Sequence, residues 1–160
     1  MDNQHNLFFL PKQTVKLVKW PINSFILDIG GGGEGILGSL FGDKVVAIDI
    51  NSEELEETHN ESLKIIMDGA DLKFLDESFA TITSFFSFMY IEDKQKVLEE
   101  SFRVLKPGGQ MFLWDLVIPD DFYTEKDIIV IPLKVILPEK TIETGYGCRW
   151  KKIMQMEGEL

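Results

Sequence analysis

The chain has 160 residues, 44% of them hydrophobic and 27% charged, and a formal net charge of −11. That length suits a single domain over residues 1–160, and the composition predicts a globular protein. The acidic balance repels phosphate backbones, so nucleic acid is not an expected partner. No apolar run is long enough to cross a bilayer, which argues against a membrane partner.

Cysteine and histidine are scarce, which limits the chemistry that the chain can offer. One cysteine, Cys148, excludes an internal disulfide framework and fits a reducing cytoplasm. His5 and His59 are the two histidines, so no Cys/His cluster for zinc is expected and we predict no metal site. The first residues lack the basic and apolar segments of a signal peptide.

The first predicted elements surround a glycine-rich turn. Residues 11–19 are predicted to form a short helix, because Pro11 suits a first turn and Val15 and Val18 would share a face. The apolar run at 24–29 predicts a buried strand, and the glycines after it lead into a helix over 33–41. A second apolar run predicts a strand over 44–50.

Strands and helices then alternate, which predicts a mostly parallel sheet. Asn51 and Glu54 resemble a capping box at the start of a helix. Lys106–Gly109 stops a later helix and turns the chain. The remaining predicted elements are a helix near 52–60, strands over 63–67 and 79–88, a helix over 92–105 and a strand over 110–117.

The last third is rich in β-forming residues. The run 128–137 contains Pro132, which predicts an edge strand or two short pieces. Gly145 and Gly147 suggest a turn before a final strand over Cys148–Met156. We expect these strands to form a terminal antiparallel pair that closes the sheet.

The glycine turn has the spacing of a cofactor loop. Gly30, Gly32 and Gly35 fit the pattern G-x-G-x-x-G between two predicted strands. Asp49 ends the second strand, 19 residues after Gly30, where an acid can accept both ribose hydroxyls of an adenosine cofactor. The competing interpretation is a plain strand-to-helix turn with a solvated Asp49. Asp28, just before the glycines, would face the cofactor.

Three segments together resemble the class I S-adenosylmethionine-dependent methyltransferases, especially the broad small-molecule branch called type 11. They are Leu27–Gly33, Ala47–Asp49 and Arg103–Gly109, and Met67–Phe79 adds to them. The resemblance covers residues 22–118. It implies an α/β fold, a Rossmann-like doubly wound, mostly parallel sheet of about seven strands with a C-terminal antiparallel strand pair.

The resemblance also implies which residues hold S-adenosyl-L-methionine. Asp28 would offset the ammonium group, directly or through water. Gly30 and Gly32 would let the backbone approach the methionine part, and Phe85 would line that side. Asp49 would hold the ribose hydroxyls.

The adenine end would involve three further residues. Ile50 would pack on the adenine face, and Asp68 would accept from the adenine amino group beside the Gly69 amide. The chain departs from the family pattern at Glu34, where a third glycine is usual. It also has Met89 and Tyr90 near the end of the fourth predicted strand, where many members carry histidine.

Methyl transfer from a sulfonium is an in-line displacement, so the protein mainly supplies position and electrostatics. No Asn-Pro-Pro-Tyr motif for amide methylation follows the fourth predicted strand, which favours a small organic acceptor. No catalytic residue is assigned. Tyr90 and Asp115 are weak candidates, against plainer interpretations as a half-packed tyrosine and a solvated acid.

Two other functions stay open. A nicotinamide-dependent oxidoreductase would share the glycine turn and the acid after it, but Asp28 and the Lys-Pro-Gly-Gly turn argue against it. The second alternative is a cofactor-binding module that acts with a protein partner or within a homo-oligomer, because the chain is short and has no large insertion to cover a substrate.

Overall fold

A computed structural model describes residues 6–118 and 122–150. The chain divides into two compact units, and each is described by itself. One unit is Lys19–Asp115, and the other combines Met1–Val18 with Leu116–Leu160. The assignment of residues 1–160 to one domain stays a prediction. Among the described residues, no helix is both long and apolar enough to cross a membrane.

The unit Lys19–Asp115 is built on a five-stranded sheet. Its strands are β3 (Ile26–Ile29), β4 (Val45–Asp49), β5 (Leu63–Ile66), β6 (Phe79–Phe85) and β7 (Leu105–Trp114). All neighbours run parallel, in the order β5-β4-β3-β6-β7. The strand order reverses beside β3, as in a doubly wound fold.

Three helices connect these strands. They are α1 (Ile36–Phe41), α2 (Ser52–Glu57) and α3 (Lys94–Val104). Gly42 ends α1 with a φ of 60°, as its sequence position predicts. Asn51 caps α2 by accepting from the Glu53 amide. The Asn51 amide donates to Asp49 and not to Glu54, the other half of the predicted capping box, whose side chain lies against Gly33.

Side chains alternate between the two faces of this sheet. One face packs with α3 into an apolar core that includes Leu27, Ile48, Ile82 and Val97. On the opposite face, Asp28 pairs in register with Ala47 on one side and Thr83 on the other. The alternation therefore places one carboxyl group in an otherwise apolar strand, at the centre of the sheet.

The predicted last parallel strand starts earlier than its sequence suggests. Leu105 already pairs with Phe79, and regular pairing resumes where Gln110 meets Thr81. The register shifts between these two pairs as an irregularity within β7, and Gly108 adopts a φ of 74° there. A Cβ on Gly109 would lie 2.9 Å from the Ala80 carbonyl oxygen, so the close approach of the two strands at this point needs glycine.

The second unit contains a separate sheet. Its strands are β1 (Leu7–Phe9), β2 (Gln13–Lys16), β8 (Ile128–Ile136) and β9 (Thr141–Arg149). β8 is central: β1 and β2 pair with it in parallel, and β9 pairs with it antiparallel. Four alternate residues of β8 are fully buried and form the core of this sheet: Ile129, Ile131, Leu133 and Val135.

The α/β class, the parallel sheet and the C-terminal strand pair are confirmed, but details of the second unit are corrected. The predicted helix over residues 11–19 is wrong, since residues 13–16 form a strand paired with β8. The strand pair does not close the parallel sheet, because β8 hydrogen-bonds to β1, β2 and β9 instead.

The prediction that Pro132 makes an edge strand or two pieces is also wrong. β1 pairs with Ile128–Val130 and β2 with Leu133–Ile136, so Pro132 lies in the gap between them. No strand on that side needs the amide hydrogen that proline lacks. Gly145 and Gly147 lie within β9, not in a turn, and residues 151–156 of the predicted last strand fall outside the described residues.

Candidate functional site

The glycine turn connects the carboxyl end of β3 to α1, and its backbone amides donate hydrogen bonds to oxygen atoms of the protein. Gly30 and Gly31 both donate to the Ile48 carbonyl, at 2.9 and 3.0 Å. Gly33 donates to the Glu54 carbonyl at 2.7 Å, and Gly35 to Gly32 at 3.3 Å. The Gly32 amide donates to Asp49 Oδ2 at 3.3 Å. The five glycine amides are therefore occupied by protein acceptors.

Close packing explains why glycine is required in this turn. Gly30 has a φ of 71°, and a Cβ there would collide with Ser87. At Gly31 a Cβ would lie 2.7 Å from Asp28 Oδ2, and at Gly32 it would lie 2.6 Å from Glu54 Cβ. These separations are too short for real Cβ atoms, so neighbouring protein atoms already exclude larger side chains. Approach of a cofactor to Gly30 and Gly32 stays a prediction.

Asp28 is 2% exposed and lies directly under the turn. Thr83 Oγ1 donates to its Oδ1 at 2.7 Å. Burial raises the pKa of the Asp28 carboxyl to about 7, the Thr83 hydrogen bond opposes that rise, and the charge of Asp49 adds to it. Asp28 therefore holds a proton over much of the range in which an ordinary aspartate is ionised.

Asp49 ends β4 and is half-buried. Its Oδ1 accepts from the Asn51 amide at 3.0 Å, and its Oδ2 accepts from Gly32. One carboxylate thus links the start of α2 to the glycine turn. Each carboxylate oxygen has two lone pairs, so Asp49 retains the capacity to accept from a ligand hydroxyl.

The residues predicted for the adenine end follow β4 and β5, which are neighbours in the sheet. Ile50 is 73% exposed and offers an apolar surface. Asp68 is exposed, and its Oδ1 accepts from the Ala70 amide at 2.8 Å. Gly69 is buried, and a Cβ there would meet Ile29 at 3.1 Å. Parallel pairing places these three positions at the same sheet edge as Asp49.

Phe85 lies at the end of β6 in an aromatic cluster. It is 6% exposed, and its ring centroid lies 5.1 Å from that of Phe86 and 5.9 Å from that of Trp114. Trp20 adds a ring 6.2 Å from Trp114. These contacts make packing the clear role of Phe85, and contact with the methionine part of a cofactor stays a prediction.

Tyr90 and Asp115 follow β6 and β7, two neighbouring parallel strands. Tyr90 is the last residue of a short 3-10 helix over Phe88–Tyr90 and is 46% exposed. Asp115 comes directly after β7 and is half-buried. Both therefore stand at the carboxyl edge of the sheet, where an acceptor would approach, and their roles stay predictions.

Three neighbours of the turn were not singled out from the sequence. Thr83 binds Asp28. Ser87 donates to the Ile29 carbonyl at 2.9 Å and lies 2.7 Å from the Ser84 hydroxyl. Glu54 was considered only as a helix cap, although its backbone and side chain both lie against the turn. Only register with Asp28 could have indicated Thr83, since no local motif contains it.

Residues 27–113 match a protein-family model described as a methyltransferase domain, which covers more than half of the chain. The chain belongs to the class I S-adenosylmethionine-dependent methyltransferases. This membership confirms the resemblance seen in the sequence, and the cofactor of the family is S-adenosyl-L-methionine.

Curated methyltransferases whose names specify different acceptors are similar to this chain. A ubiquinone/menaquinone biosynthesis C-methyltransferase of Pseudoalteromonas translucida is 32% identical over 121 residues, covering 62% of this chain and 48% of the relative. A sterol 4-C-methyltransferase of Caenorhabditis elegans is 32% identical, covering 62% and 33%. A sarcosine/dimethylglycine N-methyltransferase of Halorhodospira halochloris is 31% identical, and the match covers 62% of this chain and 40% of the relative. The chain spans between a third and a half of these relatives.

Solved structures show the same methyltransferase fold. A putative S-adenosyl-L-methionine-dependent methyltransferase from Methanococcus maripaludis has a TM-score of 0.51 and 21% identity, covering 56% of this chain and 47% of the other. A methyltransferase from Thermotoga maritima, described as a possible histamine N-methyltransferase, has a TM-score of 0.51 and 18% identity, covering 69% and 45%.

Proposed function

We propose that the chain transfers a methyl group from S-adenosyl-L-methionine to a small organic acceptor by in-line displacement. The observation that carries this proposal is the glycine turn held between Asp28 and Asp49, within a segment that matches a methyltransferase family. The names of these relatives specify ubiquinone/menaquinone biosynthesis, a sterol and sarcosine/dimethylglycine, which supports a small acceptor without identifying it.

The hydrogen bonding of the turn favours this cofactor over a dinucleotide. Pyrophosphate-binding turns present free amides and a helix N-terminus to the phosphates. Here the Gly30–Gly33 amides and the Gly35 amide all donate to protein oxygens. The carboxylates of Asp49 and Glu54 lie against the turn and would repel phosphate. A nicotinamide-dependent oxidoreductase is therefore the weaker alternative.

The residues present fit the adenosine part of S-adenosyl-L-methionine. Asp49 would accept from the ribose hydroxyls with its unused lone pairs, and the exposed Ile50 side chain would cover an adenine face. Asp68 Oδ2 has no hydrogen-bond partner within the described part of the chain, so it would accept from the adenine amino group beside Gly69. The cofactor itself supplies the activated methyl group and its leaving group.

The methionine part would lie beside Gly30 and Gly32. Asp28 is buried under Gly31, so an ammonium group would interact with it through water or through a small shift of the turn. Phe85 would contribute to the apolar side through the aromatic cluster. Ionised Asp28 would favour the ammonium group, whereas the neutral form would only donate or accept a hydrogen bond.

The acceptor side offers positioning without an assigned base. Tyr90 could orient an acceptor through its hydroxyl, and Asp115 could act as a base or as the partner of a cationic acceptor. A base is needed only where the acceptor must lose a proton during transfer. We propose a neutral or cationic small molecule, with nucleic acid disfavoured by the net charge of −11. The cytoplasmic location stays a prediction.

A non-catalytic cofactor-binding module is the second candidate. It is favoured by the family match, which covers residues 27–113 and contains the glycine turn, while no catalytic residue is assigned on the acceptor side. A protein partner or a second copy would then complete the site. Both arrangements stay predictions.

Calorimetric titration of the chain with S-adenosylhomocysteine tests the proposal first. We expect saturable binding, followed by methyl transfer from labelled S-adenosylmethionine in an acceptor screen. Binding without transfer, restored by a second protein, would favour the module. Absence of binding at millimolar cofactor would overturn both the methyltransferase and the cofactor-binding module. A saturable change in the fluorescence of a reduced nicotinamide cofactor on titration with the chain would favour the oxidoreductase.

A further inference from the structure

Glu54 is fixed against the glycine turn by its own backbone. Its carbonyl accepts from the Gly33 amide at 2.7 Å and from Thr58 Oγ1 at 3.0 Å. The same Thr58 Oγ1 also lies 3.0 Å from the Gly33 carbonyl oxygen, so its single hydrogen is shared between the two carbonyls. This double link holds α2 and the turn together, so the Glu54 side chain has a defined place beside Gly33.

The Glu54 carboxylate faces the turn itself. Its Oε2 lies 2.7 Å from the point where a Cβ of Gly33 would stand, and its Cβ lies 2.6 Å from the corresponding point at Gly32. Glu56, on the same helix, has no such contact with any glycine of the turn. One glutamate of α2 thus faces the turn, and a second provides a natural comparison.

No counter-ion neutralises this region within residues 6–118 and 122–150. The ion pairs among these described residues involve acids away from the glycine turn: Asp71, Asp76, Glu99, Glu100 and Glu143. The pKa of the Glu54 carboxyl is raised by partial burial and then by the charges of other acids: Glu57, Asp49, Glu53 and Glu34. These carboxylates therefore act on one another and on any ligand at the turn.

We propose that Glu54 is a specificity-determining residue that makes the cofactor site prefer the cationic methyl donor over its neutral, demethylated product. The inference rests on the proposed function, because it takes S-adenosylmethionine as the ligand of this turn. The site itself is supported by the family match and the glycine turn, not by the carboxylates.

The physical basis is one charge on the ligand. S-adenosylmethionine carries a sulfonium, whereas S-adenosylhomocysteine carries an uncharged thioether in its place. The other parts of the two molecules are the same, so the contacts that they share with the protein cancel in the ratio of the two dissociation constants. An unneutralised carboxylate stabilises the cation alone, which retains the donor and favours release of the product after transfer.

The test is the ratio of dissociation constants, product over donor, measured by calorimetry with both ligands at low and high salt. For Glu54→Gln we expect this ratio to fall about threefold to tenfold, the scale of losing one partly solvated charge beside a cationic ligand. Raising the salt should shrink the difference between wild type and variant. Glu54→Asp, which keeps the charge, should retain most of the wild-type ratio.

Glu56→Gln is the matched control, because it makes the same charge change on the same helix. Its ratio should stay close to that of wild type. Equal ratios for wild type and Glu54→Gln, or equal falls in both glutamine variants, would overturn the role of Glu54. Binding of neither ligand to folded wild type would instead overturn the proposed function, so the two failures are distinct.

Discussion

Asp28 and Asp49 stand near the carboxyl ends of neighbouring parallel strands, yet their carboxyl groups lie in different surroundings. Asp28 is sealed under Gly31 with one hydroxyl donor, Thr83. Asp49 is half-buried and accepts from the amides of Gly32 and Asn51. The buried group is poised to exchange a proton near neutral pH, whereas the other organises the turn and retains acceptor capacity toward solvent.

Gly32→Val should have the largest effect on cofactor binding, because the added side chain would collide with Glu54 and Asp49. The added Cβ would lie 2.6 Å from Glu54 Cβ and 2.9 Å from Asp49 Oδ2. We expect loss of S-adenosylhomocysteine binding and destabilisation by about 1–3 kcal/mol from overpacking. Calorimetry and urea unfolding measure the two effects.

Gly42→Ala is a control for glycine replacement as such. Gly42 has a φ of 60° but no atom within 4 Å of a built Cβ, so its alanine variant is strained without a collision. It should lose some stability and keep cofactor binding. Normal binding by natively folded Gly32→Val would show that the turn does not cradle the cofactor.

Asp28→Asn should remove a pH dependence from folding stability. The pKa of Asp28 is raised to about 7 in the folded chain, so the folded state holds this proton where the unfolded state has lost it. The Asp28 contribution to stability is therefore full below about pH 4, decreases as the pH rises toward 7, and is flat above it. The span is at most about 4 kcal/mol.

The free energy of unfolding of wild type and Asp28→Asn should be measured by urea titration from pH 5 to pH 8. Their difference cancels the other titrating groups, and wild type should lose stability relative to the variant as pH rises. Parallel pH profiles would contradict the proton-holding assignment of Asp28.

Asp49→Ala should weaken S-adenosylhomocysteine binding by about 1.5–3 kcal/mol, roughly tenfold to a hundredfold, as is typical for hydrogen bonds to a charged group. The control is Asp43→Ala, an exposed acid in the turn before β4. If Asp49→Ala and wild type bind S-adenosylhomocysteine with similar affinities, Asp49 only stabilises the turn and does not contact the cofactor.

Tyr90→Phe and Asp115→Asn should have the smallest effects, and they extend the comparison to the acceptor side. We expect turnover to fall about twofold to tenfold, the scale of one neutral hydrogen bond, while cofactor affinity stays near wild type. Steady-state kinetics with an acceptor found by screening, together with cofactor titration, separates the two quantities. Equal small changes in both would favour packing for Tyr90 and a solvated Asp115.

Local patterns were sufficient for most of the unit Lys19–Asp115. The apolar run before Gly30 became β3, and the run before Asp49 became β4, because buried parallel strands need continuous apolar residues. The cap at Asn51 and the stop at Gly42 are local hydrogen-bonding and backbone effects, which a few adjacent residues decide.

Long-range pairing limited the prediction of the other unit. β2 depends on pairing with β8, more than a hundred residues later, so the spacing of Val15 and Val18 suggested a helix instead. Pro132 similarly looks like a break until the gap between β1 and β2 is known. Strand pairing across such distances leaves no periodicity in either segment alone.

The amino-acid sequence by itself determined the glycine turn, the acids on either side of it and the methyltransferase family, because these depend on residues close together in the chain. Only the tertiary structure decided what surrounds each acid. Parallel register brings Thr83 to Asp28, and the packing of α2 brings Glu54 to Gly33. Burial and neighbouring charge arise from those contacts, and they set the proton affinity of Asp28 and the field at the turn.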